Sequence, residues 1–200
     1  MTSRDWSSDV CSSDLEDRPM GLLTRDDTAF VAIDFQERLV PAMSGKEKLT
    51  EKTERLAKGM QALGIPTVVT QQYTKGLGST IPSIAEALGE FEPIDKFTFG
   101  CMENEEFAAR IKELGRKNIV ICGIEAHICV QQTALQLMEA GYNVYLVVDC
   151  ISSRSEEDKL WAVTRMGEAG AVITTYEAVL YEILRNSKAD GFKAVSAIVK

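Results

Sequence analysis

From Thr28 onward, short apolar runs rich in β-branched residues alternate with amphipathic stretches of helical period, and this alternation limits the fold more than any other feature of the chain. The strand-like runs are TAFVAID (28–34), PTVVTQ (66–71), PIDK (93–96), NIVICG (118–123), NVYLVVD (143–149) and AVITT (171–175). Most are apolar on both faces, as strands are when helices cover a parallel sheet from either side. Between them, Leu49, Leu56, Met60 and Leu63 form a helical stripe that stops at Gly64, with Pro66 preventing its continuation. Asn104 ahead of Glu105 and Glu106 predicts a capped helix that turns Phe107, Ile111 and Leu114 inward and ends at Gly115. Val130, Ala134, Leu137 and Met138 mark another, ending at Gly141. Ser155 with Asp158, and Thr174 with Glu177, predict capping boxes for two more. The expected architecture is α/β: a three-layer, doubly wound, Rossmann-like sandwich around a six-stranded parallel sheet, with ligands at the carboxyl ends of the strands. The least regular stretch, QQYTKGLGSTIP (71–82), reads as a loop leaving that edge, either a substrate gate or wall or a solvated connection.

Charge narrows the partners. The 200 residues carry 22 Lys+Arg against 30 Asp+Glu, a net charge of −8, which argues against nucleic acid or an anionic membrane surface. No apolar run approaches the roughly 20 residues of a membrane-spanning helix. Five cysteines, an odd number without paired spacing, do not form a disulfide framework and point to a reducing cytoplasm. Residues 1–19 stand apart: they are rich in Ser and Asp, lack periodicity, and include DWSSDVCSSDL (5–15), which looks like one reading frame of a sequencing-library adapter. They are expected to be a disordered or artefactual leader, with Trp6 and Cys11 carrying no function and residues 20–200 forming the domain. Without the leader the balance is 20 basic against 25 acidic groups, a charge of −5.

The chemistry narrows by elimination. There is no G-x-G-x-x-G after the first strand, where DFQERL stands, no P-loop and no G-x-S-x-G elbow, so nicotinamide, P-loop and serine-hydrolase chemistry are disfavoured and no cofactor is expected. A single histidine, His127, rules out His-rich zinc sites; no metal is expected. Pairing His127 with Cys129 is disfavoured because residues two apart at a helix start point in different directions, so His127 is expected to shape the pocket or face a neighbouring subunit. Three strand ends then offer reactive groups: Asp34 after the first, Lys96 after the third, and Cys129 just past the fourth at the start of a helix. A thiol there feels the positive end of the helix macrodipole, a nearby ammonium favours the thiolate, and a carboxylate can take its proton. Each also has an ordinary reading: Asp as a turn cap, Lys as a solvated charge, Cys as a small buried hydrophobe, the role that suits Cys122 and Cys150.

The segments IDFQ (33–36), DKFTFG (95–100) and GIEAHICV (123–130), in that order and spacing, resemble the isochorismatase-like cysteine hydrolases over about Thr28 to Leu184. TQQYTKGLGST (70–80), CGIEAHICV (122–130) and VVDCISSRSEEDK (147–159) are most similar to the isochorismatase domain-containing group. The resemblance implies a catalytic Asp-Lys-Cys triad of Asp34, Lys96 and Cys129. It also implies a cis peptide at Ile124–Glu125, with backbone N–H groups of Cys129 and of the turn through Glu125 and Ala126 facing the oxyanion. Nicotinamidases of the family hold a metal with an Asp and two His after the second strand; this chain has no His there. Isochorismatase itself cleaves a vinyl ether, some such enzymes without the cysteine, so retention of Cys129 favours acyl transfer on a small amide. The alternatives are vinyl ether hydrolysis or a non-catalytic binding module. Phe35, Gln36, Gln71, Tyr73 and Phe97 flank the inferred crevice as candidate substrate contacts. The resemblance further suggests a homo-oligomer acting on a small molecule.

Overall fold

The computed structural model describes residues 21–200; the expected leader lies outside the described residues. One six-stranded sheet is built from β1 (Thr28–Ile33), β2 (Thr67–Gln72), β3 (Ile94–Lys96), β4 (Asn118–Ile124), β5 (Asn143–Ser152) and β6 (Val172–Thr174). The order is β3-β2-β1-β4-β5-β6, and every pairing is parallel. The helices are α1 (Lys46–Ala62), α2 (Thr74–Leu77), α3 (Pro82–Leu88), α4 (Glu105–Leu114), α5 (Gln131–Glu139), α6 (Glu156–Glu168), α7 (Tyr176–Leu184) and α8 (Phe192–Val199).

Period-2 geometry divides β1 between two cores. Phe30 and Ala32 join Leu49, Leu56 and Met60 of α1, Ile84 of α3, Leu180 of α7 and Val195 of α8. Ala29, Val31 and Ile33 join Phe107 and Ile111 of α4, Ala134 and Leu137 of α5, and Met166 of α6. The result is the three-layer sandwich expected from the alternation. Strand order reverses direction between β1 and β4, and at such a switch point the two following connections diverge to opposite faces and open a crevice.

Local chemistry explains most boundaries. The Asn104 side chain accepts the Phe107 N–H at 3.0 Å and opens α4, while Gly115, at φ 62°, closes it. Ser155 caps α6 through the Asp158 N–H at 3.3 Å. The box expected at Thr174 and Glu177 does not form. Thr175 precedes α7 without a side-chain cap, and the first free N–H, that of Tyr176, is taken at 2.9 Å by Asp149 from across the sheet. Asp149 also pairs with Lys52 at 3.1 Å and, chiefly through that bond, raises the lysine's pKa. Asp149→Ala is therefore expected to lower stability by about 1–2 kcal/mol, read as a shift of the urea midpoint.

Asp149 can reach because β5 is irregular. Ile121 pairs with Leu146 but Gly123 pairs with Ile151, so β5 carries extra residues between those registers and runs on to Ser152, beyond the strand end expected at 149. The stretch 71–82 is more ordered than the loop expected there. It holds the short α2, and it is tied to the segment after β1 by Glu37 N–H to Ser79 O at 3.0 Å, Arg38 N–H to Leu77 O at 3.1 Å and Ile81 N–H to Phe35 O at 2.9 Å. With Gln36 and Thr80 forming an antiparallel bridge, the stretch is a stapled wall.

Candidate active site

Asp34 is the first residue past β1 and adopts φ 57°, a left-handed conformation that Asp tolerates better than most side chains. Its N–H donates to Thr70 O at 3.1 Å and its carbonyl accepts the Gln36 N–H at 2.7 Å, which fixes the turn. Its carboxylate receives two donors, Lys96 Nζ on Oδ2 at 2.8 Å and Thr70 Oγ1 on Oδ1 at 2.7 Å. Lys96 Nζ also lies 2.7 Å from Gln72 Oε1, 3.2 Å from Thr98 O and 3.3 Å from Phe99 O. The Asp34 and Lys96 side chains are both 0% exposed. Burial works against the Lys96 charge, but the nearby Asp34, Cys101 and Cys129 together hold its pKa above the usual lysine value.

Cys129, 6% exposed, sits on a π-type turn, Ala126–Val130, between β4 and α5. The peptide joining Ile124 to Glu125 is cis. The N–H groups of Ile128 and Val130 donate to Glu125 O at 3.1 and 3.2 Å, tightening the turn. Thr133 anchors it from α5, donating to Cys129 O at 2.7 Å and accepting the Cys101 N–H at 3.0 Å. Burial first, and then the Asp34 carboxylate, push the Cys129 thiol well above the ordinary range, with Lys96 pulling the other way. This corrects the expectation of a favoured thiolate. The lysine's charge is already committed to Asp34, and burial of the sulfur outweighs what remains of its pull. The Cys129 thiol thus faces the Asp34 carboxylate.

Glu125, 8% exposed, accepts the backbone N–H and the Nε–H of Arg154, both at 3.0 Å, so its side chain turns toward the end of β5. His127 Nδ1 lies 2.9 Å from Ser153 Oγ, and its Nε2 is 4.0 Å from Asp158 Oδ2. The ring and the Cys129 thiol thus leave the turn toward different partners. Of the five candidate substrate contacts, three are engaged internally. Phe35 is core, Gln36 clamps Gln72 O and Gly78 O at 3.0 and 2.7 Å, and Gln71 bonds Thr80 Oγ1 at 3.0 Å and Thr74 Oγ1 at 2.9 Å. Tyr73 and Phe97 remain at the rim, their rings 5.5 Å apart, with Phe97 73% exposed. Phe99, which sequence reasoning passed over, is exposed beside them. Thr70, Gln72, Cys101 and Thr133 were also missed, since each reads in sequence as an ordinary strand, loop or helix residue.

Among the described residues, no group of three or more His, Cys, Asp or Glu side chains is placed to hold a metal ion. Nor is any helix there long and apolar enough to cross a membrane. An open groove of about 480 Å³ lies elsewhere, between α1 and Ile81, and contains none of the three reactive groups.

A doubly wound parallel sheet, with a carboxylate, an ammonium and a thiol gathered beyond the ends of its strands, defines a protein of the Rossmann-like sandwich class. The isochorismatase domain family model matches residues 28–178, and the chain belongs to that family, whose members are generally hydrolases. It is 35% identical over 181 residues to isochorismatase domain-containing protein 1 of Salmo salar, covering 90% of this chain and 64% of that protein; the chain thus spans less than two thirds of that relative. Protein 2 of the same group from Danio rerio is 33% identical over 182 residues, with 90% of each chain covered. Among solved structures, the MAR1 ribonuclease of Caenorhabditis elegans superposes with a TM-score of 0.84 at 37% identity, covering 90% of this chain and 92% of that one. Escherichia coli YcaC, described as an octameric hydrolase of unknown specificity, shares the fold with a TM-score of 0.85 at 24% identity over 90% of this chain and 92% of its own.

Proposed function

We propose that the protein is a cysteine hydrolase that cleaves the C–N bond of a small amide through a thioester on Cys129. The observation that carries this reading is the fully buried Asp34–Lys96 pair at 2.8 Å beside a thiol whose proton the carboxylate is placed to receive. Asp34 takes the Cys129 proton as the sulfur bonds to the carbonyl carbon, and Lys96 holds Asp34 in place. Backbone N–H groups of Cys129 and of the turn at Glu125 and Ala126 receive the oxyanion, a contribution worth roughly 3 kcal/mol per donor in other enzymes. Asp34 then gives the proton to the leaving nitrogen as the C–N bond breaks, and afterwards activates the water that cleaves the thioester. The protein works without a metal or organic cofactor, in the cytoplasm, as a homo-oligomer; the octameric state described for YcaC supports that assembly.

The test is a screen of small amides and imides with intact-mass detection of an acyl adduct. Turnover and adduct are both expected to vanish in Cys129→Ala and Asp34→Asn. With vinyl ethers added to the panel, turnover of one of them that survives loss of Cys129 but not of Asp34 would replace the covalent route with vinyl ether hydrolysis, and no turnover on any substrate would leave a binding module. The likeness to the MAR1 ribonuclease favours one second reading, phosphodiester cleavage. An RNA-degradation assay separates it from amide hydrolysis, and the net charge of −8 speaks against a polyanionic substrate.

A further inference from the structure

We propose that Thr70 is a positioning residue for the hydrolysis: its hydroxyl, donated to Asp34 Oδ1, fixes the plane of the carboxylate that receives the Cys129 proton. The inference rests on the proposed role of Asp34 as the base.

Thr70 holds Asp34 twice. Its carbonyl accepts the Asp34 N–H at 3.1 Å, and its Oγ1 donates to Oδ1 at 2.7 Å, with both residues 0% exposed. The pairing follows from the sheet and the turn after it, since Ile33 lies opposite Thr70 and the left-handed conformation of Asp34, φ 57°, takes the next residue out of strand alternation toward the Thr70 hydroxyl. The charged and titratable groups facing the carboxylate are Lys96 from β3, Cys101 from the turn after it, and Cys129 from the π-type turn. Lys96 occupies Oδ2 alone. The last torsion of an Asp side chain is broad and roughly two-fold, so a carboxylate gripped at one oxygen can still swivel. A second donor on the other oxygen stops that motion. A hydroxyl has one proton, and the Cys101 Sγ, 4.0 Å from Thr70 Oγ1, sits on its acceptor side, leaving that proton for Asp34. The β-branched side chain keeps the hydroxyl in one rotamer more firmly than serine would.

The prediction is read on the full chain by the rate at which iodoacetamide alkylates Cys129, followed by mass spectrometry from acid to neutral pH, where no substrate need be known. The parent protein is expected to show an acid limb that levels off before neutral pH, and Asp34→Asn to lose that limb, its slow rate climbing steadily with pH as thiolate forms. Thr70→Val keeps the shape but removes the donor from a buried carboxylate, so the limb moves to higher pH. Thr70→Ser, which retains the donor, returns most of that shift; a residue of purely structural importance would not move the limb in this pattern. A Thr70→Val profile that superimposes on the parent, or a Thr70→Ser limb displaced as far as that of Thr70→Val, overturns the role of Thr70. Should Thr70→Val fail to fold, Thr70→Ala removes the same donor and is judged by the same limb. If Asp34→Asn retains the parental limb, the base assignment itself falls; if it loses the limb while Thr70→Val is silent, only Thr70 is excluded.

Discussion

Lys96→Met is expected to lower the stability of the fold by about 3–5 kcal/mol, measured by urea unfolding at neutral pH. The loss exceeds that of an ordinary core change because of what remains behind. Asp34, fully buried, would be left without its ion partner, and Gln72 Oε1, Thr98 O and Phe99 O would lose a donor as well. Adding Asp34→Asn to the same chain is expected to restore part of the loss, since a neutral amide does not need the ammonium; the non-additivity measures the coupling of the pair. The sign with pH is fixed by the raised pKa of Lys96. Its contribution is complete below the unfolded-state value and fades as pH rises through the folded-state one, so on the alkaline side the penalty of Lys96→Met shrinks in strongly alkaline solution. A loss of less than about 1 kcal/mol, the range of exposed ion pairs, would contradict a sealed pair.

Gly123→Ala is expected to cost about 3 kcal/mol or more and to abolish turnover with it. Gly123 lies in β4 at φ 151°, and a Cβ there would stand 2.5 Å from Ile33 Cβ and 2.6 Å from Ile33 O. Backbone cannot yield as a flexible side chain can, so β1 and β4 must separate at the point where one delivers Asp34 and the other begins the turn to Cys129. Gly167→Ala in α6 provides the contrast. Its nearest contact would be Ile173 at 3.6 Å, ordinary packing, and alanine in a helix is expected to be neutral or stabilising by a few tenths of a kcal/mol. Equal effects from the two substitutions would show that the close approach of β1 and β4 is not what Gly123 serves.

Much of the fold was legible because periodicity reports burial directly. The six strands stand close to where β-branched runs put them, and the caps at Asn104 and Ser155 formed because a cap is a local contact within three residues. The cap of α7 was illegible for the opposite reason: its acceptor, Asp149, is remote in sequence and reaches it only through the irregularity of β5. The candidate site divides in the same way. Asp34, Lys96 and Cys129 stand out as chemical groups at strand ends, a position a sequence can express. What holds them does not stand out. Thr70 and Gln72 are side chains suited to any strand, and the oxygens of Thr98 and Phe99 belong to the backbone, which every residue has. The direction in which Cys129 titrates also lay beyond the sequence, because it depends on how far burial outweighs one ammonium already shared with a carboxylate.

The four oxygens around Lys96 Nζ do for that ion what water would do outside, as a hydration shell assembled once, during folding, and unable to exchange. Water around an ammonium must turn whenever charge nearby changes, and each turn adds to a reaction barrier. This shell is anchored in β2 and in the segments that follow β1 and β3, so in the proposed reaction it is already oriented when charge begins to move between sulfur and carboxylate. Dissolved salt cannot enter it either, so the electrostatics of the site should be largely indifferent to ionic strength, while the protein's charged exterior is not.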